Sequence, residues 1–145
     1  MLTATLTLIV VFVFLLVSQL AGEGIIKPYL EYRKVLADIS YTLIYYAYLI
    51  VSAPAGSKRE EQAEISERLR QLSARLRSAI TGLPFHELMR IFHLIPPQER
   101  IQDAAARLIR MSNMLLETGQ KRRDDIRQDM AAVGVLLQID VAREK

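Results

Sequence analysis

Hydrophobic patterning starts with an uninterrupted apolar stretch. From Leu2 to Ala21 the chain runs LTATLTLIVVFVFLLVSQLA without a charged residue, and Leu8 to Val17 is unbroken aliphatic and Phe. At ~1.5 Å per residue, about 20 residues cross a hydrocarbon core of about 30 Å, and a helix satisfies its own backbone there. Ser18 and Gln19 fall at the end where headgroups begin. Residues 1–22 are therefore expected to be a transmembrane anchor.

Beyond this stretch the pattern becomes amphipathic. Gly22-Glu23-Gly24-Ile25-Ile26-Lys27-Pro28 reads as a break. The two glycines loosen a helix, and Pro28 disfavours α geometry at Lys27 while suiting the first turn of a new helix. Residues 23–27 are expected to form a juxtamembrane hinge, and 28–145 a domain. From Pro28 to Val51, the residues Tyr32, Leu36, Ile39, Leu43, Tyr46 and Ile50 alternate by four and three, which is one helical seam; Pro54 and Gly56 end it. Ser57-Lys58-Arg59-Glu60 has the spacing of a capping box. The helix it opens places Ile65, Leu69, Leu72, Leu76 and Ile80 on one face, with Gly82 expected as a left-handed cap.

Pro84 starts a short helix with Phe85, Leu88, Met89 and Phe92 inward, and Pro96-Pro97 punctuates again. A further helix to about Glu117 presents Ile101, Ala104, Ala105, Leu108, Ser112 and Leu115, and Gly119 stops it. The last, about Arg122 to Ala142, presents Ile126, Met130, Val133, Leu137 and Val141. No stretch alternates with period two. The predicted fold is all-α: one N-terminal transmembrane helix followed by a cytoplasmic helical bundle of about four helices.

Retention of the apolar segment is expected over its removal as a signal peptide. Nothing before Lys27 is basic, and cleavage after Ala21 or Gly22 would put Gln19 or Leu20 at the −3 position. Lys27, Arg33 and Lys34 follow the segment, so the positive-inside rule places the N-terminus outside and the domain in the cytoplasm, here assigned to a bacterial inner membrane.

The formal net charge of +3 sits wholly beyond Pro54, where sixteen Lys and Arg meet thirteen Asp and Glu. That balance suits an anionic lipid surface and is too mixed to indicate nucleic acid. The absence of cysteine excludes disulfides and thiolate chemistry.

All six tyrosines lie between Tyr29 and Tyr48. Tyr41, Tyr45 and Tyr48 stand at i, i+4 and i+7, a second face away from the Leu36/Leu43 seam, so Ile39 to Val51 is apolar or aromatic all round. Such a helix is central in a bundle, packs on another copy, or lies at a membrane interface where amphipathic rings are favoured. A further possibility pairs residues 2–21 and 35–51 as a membrane hairpin.

Candidate chemistry is sparse. His86 and His93 are seven residues apart, about 10.5 Å along one helix, too far to share an ion unaided. His86-Glu87 begins a zinc-helix motif, but Arg90 stands where its second histidine belongs. No nucleophile elbow, phosphate loop or cofactor motif is present, and Asp124, Asp125 and Asp129 read as a helix-start bias and a solvated face. Arg68, Arg70, Arg75 and Arg77 follow Glu60, Glu61, Glu64 and Glu67. That order suits the helix dipole and also offers contacts to anionic lipid or an acidic partner. Lys121, Arg122 and Arg123 form a second basic cluster.

The function expected is non-enzymatic: a single-pass membrane scaffold or adaptor working through an unidentified protein partner or a homo-oligomer. A pore or transport component built on the hairpin is the alternative, and an enzyme acting on a lipid or membrane-bound substrate through His86 or His93 a second alternative.

Overall fold

A computed structural model of the chain describes residues 2–52, 59–83, 86–91, 93–115 and 120–139. Its elements are α1 (Leu2–Ala21), a π-helical turn (Gly22–Ile26), α2 (Lys27–Tyr45), α3 (Ala47–Ser52), α4 (Arg59–Thr81), α5 (His86–Ile91), α6 (Gln98–Met114) and α7 (Gln120–Leu137). The protein is all-α, with no strand among the described residues. Ser57 of the expected capping box, with Pro54, Gly56, Phe85, Phe92, Gly119 and Val141, lies outside the described residues, as does the side chain of Leu88.

One helix, α1, is long and apolar enough to cross a membrane. Every side chain from Thr5 to Gln19 is exposed, so this apolar helix is not a core helix of the domain.

The expected break at Gly22–Pro28 is instead a single π-helical turn, and the helix winds on through it to Tyr45. Pro28 lacks an N–H, and its ring would crowd the carbonyl four residues back, that of Gly24, in a regular α-helix. Widening the turn answers that conflict: the Lys27 N–H donates to the Gly22 carbonyl, five residues back. Residues 2–21 and 35–45 therefore follow one another along one helical run and do not lie side by side.

The remaining helices pack around a shared core. The α4 helix lies against α2 and α6, α7 lies against α6, and α7 also meets α2 and α3. The predicted seams fill this core: Tyr32, Leu36, Ile39, Leu43 and Ile50 from α2 and α3, Leu69, Leu72 and Leu76 from α4, Ile101 and Leu108 from α6, and Ile126, Val133 and Leu137 from α7 are all buried. Tyr46, at the junction of α2 and α3, is half-buried.

The contact of α4 with α6 is antiparallel and close. Ser66 Oγ donates to the Ser112 carbonyl at 2.9 Å, and Ser73 Oγ to the Ala105 carbonyl at 2.8 Å. A serine hydroxyl reaches a neighbouring helix's backbone only where both helices present small residues. Here Ser66 and Ser73 face Ala104, Ala105 and Ser112, all buried.

Two helix ends differ from expectation. Gly82 is not left-handed; its N–H donates to the Ser78 carbonyl and that of Leu83 to Ile80, a tightened turn that tucks Leu83 into the core. Left-handed caps occur instead at His93 and Gln138, both with φ 56°. After α7, the Ile139 N–H reaches Gly134 and the Gln138 N–H reaches Val135, the paired bonds of a Schellman motif. After α5, Leu94 to Met89 and His93 to Arg90 repeat it.

Candidate interaction surface

The buried face of α2 repeats every three or four residues, which leaves a complementary exposed face. Tyr41 and Tyr45 lie on it and Tyr48 follows on α3, 55%, 65% and 73% exposed, with Ile44 beside them at 55%. The rings of Tyr41 and Tyr45 stack with centroids 5.3 Å apart, and Tyr45 meets the half-buried Tyr46 edge-on at 4.9 Å. Aromatic pairs in these geometries favour one another beyond their area, so Tyr41, Tyr45 and Tyr46 form one aromatic cluster. Along α2 the exposed residues Ala37, Tyr41, Ile44 and Tyr45 carry no charge, and Asp38, at the edge, is drawn away by Arg75.

The four arginines Arg68, Arg70, Arg75 and Arg77 do not converge on one patch. Arg75 Nη1 lies 2.8 Å from Asp38 Oδ2, tying α4 to α2. Arg70 reaches the other way, with Nε 3.3 Å from Ser112 Oγ and Nη2 3.0 Å from Asn113 Oδ1 on α6. Arg68 lines a shallow polar cleft with Glu64, Glu67 and Arg75, and Arg77 lines another with Gln98 and Gln102.

On α7, Asp129 is buried, a correction to the solvated face expected for Asp124, Asp125 and Asp129. Counted from Ile126 and Val133 it stands three residues after one and four before the other, hence on the core side facing α6. Arg107 Nη1 lies 2.8 Å from its Oδ1 and Arg110 Nε 3.5 Å from its Oδ2. Arg107 also donates from Nε to Asp103 Oδ2 at 3.2 Å, and this bond, ahead of its contacts with Asp129, holds the guanidinium still more firmly protonated. Arg122 is buried as well, so Lys121, Arg122 and Arg123 do not make a uniform exposed cluster.

His93 is exposed and serves as the left-handed cap after α5, while the side chain of His86 lies outside the described residues. Among the described residues no group of three or more His, Cys, Asp or Glu is placed to hold a metal. Periodicity had marked the tyrosine face. The buried Asp129 and the close serines had left no separate signal beyond their phase relative to apolar neighbours.

The chain matches no protein family model, no curated protein and no solved structure.

Proposed function

We propose that this chain is a non-enzymatic, single-pass membrane protein whose helical bundle presents the tyrosine face of α2 to other proteins, as a scaffold or adaptor. The observation that carries this reading is one continuous helical run, free-standing and apolar at its start and bearing an uncharged aromatic face at its end. Exposed aromatic surface of this kind marks contact sites, since rings supply large area at low conformational cost. Four longer helices, α2, α4, α6 and α7, make the bundle, with α3 and α5 as short additions. Lys27, Arg33 and Lys34 follow α1 and favour a cytoplasmic bundle, N-terminus outside, in a bacterial inner membrane. Arg70 and Arg75 brace α4 within the bundle, and Arg68 and Arg77 are offered to an acidic partner or lipid.

The test is a photoreactive phenylalanine in place of Tyr45, irradiated in intact membranes. Adducts to protein are expected. Adducts to lipid alone, or recovery of the chain in the soluble fraction, would reject the reading.

A further inference from the structure

The exposed side of α2, continued by Tyr48 on α3, carries a second seam. Leu30, Lys34, Ala37, Tyr41, Ile44 and Tyr48 are spaced four, three, four, three and four, and all six are exposed. This is the same alternation as Tyr32, Leu36, Ile39 and Leu43 on the opposite side, where α4 fills it. A stripe of this period is what a helix lays against a parallel or antiparallel partner helix.

We propose that a second copy of this chain covers the seam, with the two α2 helices parallel and in register. The inference rests on the reading that α1 spans a membrane and that the tyrosine face makes protein contacts. Its first support is geometric: a shared anchor delivers every copy from one side of the bilayer, so neighbouring α2 helices point the same way and begin at the same height. In a parallel two-fold pair each seam residue meets its own counterpart, and Ala37, Tyr41, Ile44 and Tyr48 are chemically suited to meet themselves.

Lys34 is the one charge on the seam, and in register it meets its own counterpart at a cost, so the register rests on the common height that α1 imposes. Size also fits. Covering every exposed part of Leu30, Ala37, Tyr41, Ile44 and Tyr48 in both copies would bury at most roughly 1,000 Å², near the lower bound of a specific interface. That is marginal for free association and ample once both chains are confined to one membrane. Lipid is a poor occupant, because Tyr41 stands twenty residues past Ala21, roughly 30 Å along the helix axis and beyond the headgroups.

The experiment uses the full-length chain, which has no native cysteine, purified and reconstituted alone into bilayers. Single cysteines replace Ala37 or Ile44 on the seam, and Glu31, an exposed residue well round the helix from the seam's centre, as control. Oxidation should give a doubled mass for Ala37→Cys and Ile44→Cys, at least tenfold above Glu31→Cys. Adding Tyr41→Lys and Tyr48→Lys should remove it while circular dichroism stays native. Equal yields at all three sites would show collision only and overturn the proposal. Monomer in pure bilayers, with Tyr45 still forming protein adducts in native membranes, would assign the face to another protein; the contact reading would survive and the second copy would not. Monomer without such adducts would remove both.

Discussion

Tyr32 places a phenol at 1% exposure, with no hydrogen-bond partner for its hydroxyl among the described residues. Burial pushes its pKa up to about 12, against a smaller opposing pull from Arg33. In the unfolded chain the phenol ionises near its ordinary value of 10, so between pH 10 and 12 only the unfolded state gives up the proton. Its contribution to stability is intact below pH 10 and falls as pH rises, by about 1.4 kcal/mol per unit at most. Tyr32→Phe should remove that slope and leave neutral-pH stability unchanged or slightly raised, because no hydrogen bond is lost. Urea denaturation of both proteins at pH 8 and pH 11 checks this; parallel losses would overturn it. That Tyr32 is buried was legible from its place in the seam. That Asp129 is buried was not. A carboxylate flanking an apolar stripe can face water or a neighbouring arginine, and the phase of one helix does not say where Arg107 and Arg110 of another will stand.

Helices were legible wherever an apolar period ran over several turns, which is why α4 and α6 lie within a few residues of their predicted bounds; the helix expected from Pro28 to Val51 is instead split at Tyr46 into α2 and α3, and α7 ends at Leu137, before the expected Ala142. Local punctuation was less so. Gly22 to Pro28 reads as a break with Pro28 opening a new helix; α2 does begin there, but the conflict of Pro28 with Gly24 is relieved by widening one turn and the helix runs on. Gly82 reads as a left-handed cap in the sequence, yet a tight turn stands there and Leu83 is buried by it. The approach of α4 to α6 was hidden for a different reason: Ser66 and Ser73 look like polar interruptions until the partner's alanines are known. Their closeness predicts that Ser73→Leu, though more apolar, forces the helices apart and costs about 2 kcal/mol or more, read as a lowered denaturation midpoint. Ser73→Ala should cost about 1 kcal/mol, the value of its bond to the Ala105 carbonyl. If leucine were tolerated better than alanine, the close approach would be wrong.

Taken whole, the molecule joins an apolar helix to a packed domain through helical backbone: Gly22 and Gly24 sit inside it, and neither has anything within 4 Å of where a Cβ would project. A helix that never breaks works as a keyed shaft. The azimuth at which the tyrosine platform faces its surroundings is set by the azimuth of α1 within the bilayer, about 100° for each residue between them. Inserting one alanine after Glu23 should swing the platform by that angle and abolish cysteine cross-linking at Ala37, whereas seven should nearly restore it at about 10 Å greater height. Equal cross-linking across the series would mean that α1 turns freely in the lipid and imposes no phase. Rotational phase, and not only tethering distance, is then what the membrane segment imposes on the domain it carries.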